Sequence, residues 1–268
     1  MIKDITIGQY FPGDTIIHKL DPRIKILATV AFITSLFLIN KFYPYLLVLA
    51  VVFSMVKLSN VPIKFVLKGL KPLLFIILIT FFINVFMTKG VVLFQIGPLS
   101  VTKEGLFQAI FMALRLIFLI IGTSLLTLTT SPISLTDGIE KILSPLKPIG
   151  LPAHELAMMM TIALRFIPTL LEETDKIMKA QMARGADFES GNVLRRAKNL
   201  VPLLVPLFVN AFRRADELAM AMEARCYRGG EHRTRLNELC MEKKDYIAIL
   251  VIAVYIFIVV MTRYINII

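Results

Sequence analysis

Two cysteines in 268 residues leave no basis for a disulfide scaffold. Cys226 and Cys240 stand among charged residues and form no C-x-x-C pair. Charge is scarce too: Asp, Glu, Lys and Arg make up 18% of the chain, against 57% hydrophobic residues. That balance excludes a disordered chain. It also excludes an ordinary water-soluble enzyme, which fills a core with far less apolar residue. The excess must face lipid. No G-x-x-x-x-G-K-[ST] stretch occurs, so the chain does not cradle ATP phosphates by that route. Three histidines, His18, His154 and His232, lie far apart, and with the two cysteines they give no metal-site spacing. No metal and no cofactor are expected. Residues 1–20 hold Lys3, Asp4, Asp14 and Lys19 and no apolar run of signal-peptide length, so no cleaved leader is expected either.

What is present is a series of uncharged stretches. They run over 26–40, 42–56, 72–88, 106–136 (interrupted by Arg115) and 246–262. Several fall short of the roughly 20 residues a span wants, but Lys and Arg at their ends can reach the interface, so five spans are expected. Asp21 is a good N-cap for the first, with Pro22 at the first helical position, where no N–H is needed. Arg23 and Lys25 precede span one, and Lys57, Lys64, Lys68 and Lys71 crowd the loop between spans two and three. The opposite loops carry only Lys41, Lys89 and Lys103. This bias places the N-terminus in the cytoplasm and, with five spans, the C-terminus outside. The organisation that follows is a membrane part over 1–130, a cytoplasmic helical part over 131–245 and a last span in 246–268. The fold class is all-α, with Ser131–Pro152 expected as a broken connection because it holds Pro132, Pro145, Pro148 and Pro152. The net charge of +11 resides mostly in the membrane part, since 140–245 holds 17 basic and 14 acidic residues. Nucleic acid is therefore not an expected partner; the lipid bilayer is.

The cytoplasmic part contains a repeat. Asp175 through Arg184 and Asp216 through Arg225 share the pattern D-x4-A-x2-A-R at an offset of 41 residues. Each copy closes a long helix-compatible stretch, over about 153–184 and 192–225. Pro168, Pro202 and Pro206 predict kinks or breaks in both. Either Ala-Arg end taken alone reads as a helix C-terminus, with Arg at the negative end of the dipole. Two such ends read differently. Small neighbours let each Arg approach another protein closely, and its planar guanidinium suits a carboxylate or carbonyls in a groove. Two equivalent knobs fit a partner with two equivalent grooves, which is a dimer.

These residues resemble the T component of energy-coupling factor (ECF) transporters, over nearly the whole chain. The likeness rests on Gly8-Gln9-Tyr10-Phe11-Pro12-Gly13-Asp14 and His18-Lys19-Leu20-Asp21-Pro22-Arg23-Ile24-Lys25. It continues in Leu164-Arg165-Phe166-Ile167-Pro168, in Gln181-Met182-Ala183-Arg184-Gly185-Ala186-Asp187 and in Ala224-Arg225-Cys226-Tyr227-Arg228-Gly229-Gly230. The resemblance implies a multi-pass subunit of the bacterial cytoplasmic membrane that carries no catalytic residues. It implies two ATP-binding-cassette ATPases and small membrane-embedded substrate-binding S components, for vitamins or other micronutrients, as partners. It also implies that Ala183, Arg184 and Gly185, with Ala224, Arg225 and Cys226, form the ATPase-coupling site, Arg184 and Arg225 each entering an ATPase groove. Cys226 departs from the family's glycine. A cysteine resists positive φ, so the second helix end is expected to differ or to move its left-handed turn to Gly229.

Seven of thirteen methionines fall in the two coupling stretches, which suits either packing or an adaptable docking surface. Arg115 inside span four reads either as a functional charge or as a residue near the outer interface that snorkels, and Asn84 either hydrogen-bonds a neighbouring helix or lines a contact with the S component. Glu172 and Glu173 face either solvent or Arg213 and Arg214. A self-contained carrier and a membrane-embedded enzyme are the competing functions. The first wants polar residues at the bilayer midplane and the second a nucleophile or acid/base pair, and the sequence offers neither convincingly.

Overall fold

The structure is a computed structural model that describes residues 10–96, 99–188, 192–230 and 239–264. It is built of helices: α1 (Pro22–Leu38), α2 (Pro44–Ser59), α3 (Ile63–Leu70), α4 (Leu74–Met87), α5 (Lys103–Thr129), α6 (Pro132–Leu143), α7 (Ala153–Ala183), α8 (Val193–Ala224) and α9 (Lys243–Tyr264). The chain divides into two compact units. One holds the described residues of 8–139 and 238–268, the other those of 140–237.

In the first unit α1 begins as its sequence dictates. The Asp21 carboxylate accepts the Arg23 N–H at 2.9 Å, with Pro22 in the first turn. A buried polar knot then fixes α9 beside it. One oxygen of the Asp245 carboxylate accepts the Asp21 N–H at 2.9 Å, the other accepts the Glu242 N–H at 2.8 Å, and the Arg23 guanidinium donates to the Leu239 carbonyl. The helices start together and stay together, since Ser35 bonds the Tyr255 hydroxyl and the Tyr43 hydroxyl donates to the Thr262 carbonyl. α1 and α9 therefore run parallel. Lys25 lies just ahead of the apolar run and is buried, donating to the carbonyls of His18 and Thr129. Burial pushes its ammonium down to about 8, with Asp245 and Asp21 opposing the shift.

Between α4 and α5 the chain forms a two-stranded antiparallel hairpin, β1 (Val92–Ile96) and β2 (Leu99–Thr102), an addition to the all-α expectation. Its base is tied to both helices. The Thr102 hydroxyl donates to the Thr88 carbonyl and caps α5 by accepting the Gly105 N–H at 3.0 Å, while Glu104 accepts the Val91 N–H. The core of this unit joins Leu36, Val48, Phe111, Phe118, Tyr255 and their neighbours.

The helices from Ile63 to Met87, of α5, of α7 and of Lys243–Thr262 are long and apolar enough to cross a membrane. α2 is apolar but shorter, and the 17 residues of α1 extend only about 25 Å. The inventory thus includes α7, which was not counted among the five expected spans. The fourth apolar stretch ends earlier than expected. Thr130 is extended after α5, and α6 starts at Pro132, its first turn capped by the Ser131 hydroxyl accepting the Ser134 N–H. Half of the expected broken connection is therefore helix.

Arg115 is engaged at the end of α1. Its guanidinium donates to the Ile39 carbonyl at 2.9 Å, at the C-terminus of α1, and lies 4.9 Å from the Phe111 ring centroid and 5.5 Å from that of Phe37. A cation there satisfies an otherwise orphaned carbonyl and the helix dipole together. The Asn84 amide donates to the Thr80 carbonyl of its own helix rather than to a neighbour.

Candidate functional site

The second unit is built on α7 and α8, which run 31 and 32 residues without interruption. Of the kinks or breaks expected at Pro168, Pro202 and Pro206, breaks do not occur. A proline at position i leaves the carbonyl at i−4 without its donor, and that carbonyl must be satisfied elsewhere. For Pro206 it is the Pro202 carbonyl, which accepts the Gln181 side-chain amide across from α7 at 3.4 Å. The two helices hold each other further along. Glu173 and Arg214 form an ion pair, and the Arg214 guanidinium lies 5.5 Å from the Phe166 ring centroid. Rising numbers on α7 thus meet falling numbers on α8, so the pair runs antiparallel along its contact. Of the two environments weighed for the Glu172 and Glu173 stretch, Glu173 takes the interhelical one. Glu173 and Arg214 are 41 residues apart, each two residues ahead of its copy of the repeat.

The two Ala-Arg ends close in the same way. At the first, the Gly185 N–H donates to the Met182 carbonyl and the Ala186 N–H to the Gln181 carbonyl, both at 2.9 Å. At the second, the Cys226 N–H donates to the Glu223 carbonyl at 2.8 Å and the Tyr227 N–H to the Met222 carbonyl at 3.0 Å. Each is a Schellman closure, with a 5→2 and a 6→1 bond around a left-handed residue. Gly185 holds that position at φ 88° and Cys226 at φ 55°. Of the two alternatives expected for the second end, the move of the left-handed turn to Gly229 does not occur. Gly229 is also left-handed, but Cys226 keeps the closing position itself, because the two bonds require a left-handed residue there.

Ala183, Arg184, Gly185, Ala224, Arg225 and Cys226 are all exposed. A Cβ added at Gly185 would meet nothing within 4 Å, so glycine serves its backbone angle and not its space. Below the second end, Ala219, Met222, Glu223, Cys226, Tyr227 and Arg228 line a shallow hollow of about 460 Å³. Past it the chain returns to the start of α7, where Gly230 lies against the His154 ring so closely that a Cβ would collide with its Cδ2 and Cγ atoms. His154 Nδ1 is 3.1 Å from a carboxylate oxygen of Glu140 on α6. In the other unit His18 is engaged too, with Nδ1 2.7 Å from the Thr15 hydroxyl and Nε2 3.0 Å from the Phe11 carbonyl. His232 lies outside the described residues. Among the described residues no three His, Cys, Asp or Glu side chains gather as metal ligands would.

Sequence reasoning paired the two arginines but missed Gln181, Gly230 and His154. The first had a signal: Pro206 leaves the Pro202 carbonyl without its helical donor. The second had a weaker one in the adjacent glycines 229 and 230.

The profile of the family described as cobalt transport protein (CbiQ) matches residues 13–236. Three curated relatives are each called energy-coupling factor transporter transmembrane protein EcfT. That of Thermosediminibacter oceani is 64% identical over 247 residues, covering 92% of this chain and 93% of its own. That of Clostridium kluyveri is 62% identical over 265 residues, with 98% of both covered. That of Bacillus subtilis is 52% identical over 261 residues, covering 96% and 98%. A likeness of this extent, over residues 13–236 for the family profile and 98% of the chain for one relative, means that the chain belongs to the transmembrane proteins of energy-coupling factor transporters.

Proposed function

We propose that this chain couples ATP hydrolysis by two partner ATPases to substrate uptake by a small membrane S component, with Arg184 and Arg225 as the residues that engage the ATPases. The observation that carries the reading is the identical closure of two exposed Ala-Arg helix ends on two long helices joined by the Glu173–Arg214 ion pair. Each end offers a guanidinium beside an alanine, with the dipole-negative carbonyls behind it closed off by the chain itself. The sequence holds no phosphate-binding loop, which fits a subunit whose energy comes from elsewhere. α8 exposes Leu200, Leu204, Val205, Phe208 and Phe212, and α7 exposes Met159 and Met160. These apolar, adaptable surfaces suit S components that carry vitamins or other micronutrients and exchange on one scaffold. The lysine bias supports a cytoplasmic N-terminus in a bacterial cell. The parallel start of α1 and α9 agrees with an odd number of crossings between them, and with the C-terminus outside.

The test is uptake by whole complexes. Arg184→Ala combined with Arg225→Ala should abolish uptake and release the ATPases from detergent-solubilised complexes, while the chain still inserts. Full uptake by the double variant refutes the proposal.

A further inference from the structure

From residue 22 to residue 103 the chain contains nine basic residues and not one Asp or Glu. Four of the basic residues, Lys57, Lys64, Lys68 and Lys71, are exposed around α3. Their placement is ordered. Asn60 in a left-handed conformation turns the chain out of α2, and α3 then presents Lys64, Lys68 and, one turn on, Lys71 along a single face. The opposite face is the packed one. Val66 is buried in a small core with Val61 and Leu128, and a Cβ on Gly69 would stand 2.6 Å from the Ser124 hydroxyl of α5. Exposed Ile63 and Leu67 flank the lysines on one side and exposed Phe65 on the other. Among the described residues, no carboxylate lies within 4 Å of any of these four lysines.

The helix is continuous with an apolar surface. Within three residues of Lys71 the chain enters α4, where Leu74, Phe75, Ile76, Leu78, Ile79, Phe82 and Ile83 are exposed, and Ile63–Met87 together has the length and composition of a span. The lysine face therefore stands at headgroup depth, with apolar side chains at its margins to enter the acyl boundary. A soluble acidic protein would leave those margins in water, whereas a phospholipid covers both at once.

We propose that the Lys64, Lys68 and Lys71 face of α3 is a binding surface for anionic phospholipids, the ammonium groups holding headgroup phosphates while Ile63, Phe65 and Leu67 lie among the chains. The surface is formed by α3 and not by α7 or α8, and its test needs no ATPase. The full chain in uncharged detergent is titrated with phosphatidylglycerol or phosphatidylcholine, and bound lipids are counted by native mass spectrometry. Wild type should prefer phosphatidylglycerol. Each Lys→Gln change should weaken that binding about fivefold, the equivalent of about 1 kcal/mol per lysine near a lipid surface. Lys64→Gln, Lys68→Gln and Lys71→Gln combined should leave the two lipids indistinguishable, and the corresponding Lys→Arg triple variant should keep the preference. Lys41→Gln with Lys89→Gln should change nothing. No preference in wild type overturns the proposal, as does an equal preference in wild type and the Gln triple variant. So does a Gln triple variant that keeps its phosphatidylglycerol binding but loses co-purifying ATPases, because the surface would then belong to a protein partner.

Discussion

Cys226 is an exposed side chain whose backbone is left-handed at φ 55°. An L-residue there suffers a close approach of its Cβ to the carbonyl oxygen, which costs about 1–2 kcal/mol. Glycine removes that cost but brings up to about 1 kcal/mol of extra chain entropy to lose on ordering. Cys226→Gly should therefore tighten the second helix end by about 1 kcal/mol. The converse change, Gly185→Cys, meets no atom within 4 Å and so isolates the backbone term. At φ 88° it departs further from the left-handed minimum near 57°, so it should loosen the first end by about 1–2 kcal/mol or slightly more. The assay is amide exchange in the full chain in lipid nanodiscs, followed on peptides spanning 179–188 and 219–230. The amides of Cys226 and Tyr227 donate the two closing bonds, so Cys226→Gly should slow their exchange about fivefold. Gly185→Cys should speed exchange at Gly185 and Ala186 by at least as much. Two changes acting in the same direction, or unchanged exchange after Cys226→Gly, would show that the left-handed strain is not what distinguishes the two ends.

Two further outcomes follow from contacts described above. Gly230→Ala should loosen the segment after the second Ala-Arg end by about 1–3 kcal/mol through collision with the His154 ring, seen as faster proteolysis there. The same substitution made in a His154→Ala background should cost much less, and equal costs in the two backgrounds would rule out the collision. Lys25 has a folded-state pKa of about 8, below its ordinary value of 10.5, so between those values the unfolded chain holds a proton that the folded chain has released. Stability should rise as pH climbs through that window. Thermal melts should show the rise in wild type and its loss in Lys25→Met, and a wild-type curve that falls no less than the variant's would contradict the assignment.

Much of the fold was legible where local chemistry decides it. Asp21 and Pro22 start α1 where an N-cap and a first-turn proline should, and both Ala-Arg pairs end helices. What escaped prediction depends on partners distant in sequence. Pro206 would break a lone helix, yet Gln181, 21 residues before Pro202, supplies the missing donor. The acceptor of Arg115, the Ile39 carbonyl, is 76 residues away and could not be read from the sequence. The hairpin escaped because its strands are short apolar runs beside longer helical ones, and only the caps at Thr102 and Glu104 distinguish them. At the candidate site the arginines were readable because they recur. The closure by Cys226 was misjudged because conformational preference was set against two hydrogen bonds that the sequence does not display.

The Glu173–Arg214 pair has a mechanical consequence. Arg184 lies eleven residues beyond Glu173, and Arg225 eleven residues beyond Arg214. Each tip therefore stands about 16 Å from a shared fulcrum, measured along its own helix. Levers of equal length neither amplify nor attenuate. A turn of roughly ten degrees about that point carries either tip about 3 Å, on the same helical rise. Lengthening one helix by a turn between that point and its tip would make the two distances unequal; the offset of 41 residues keeps them equal.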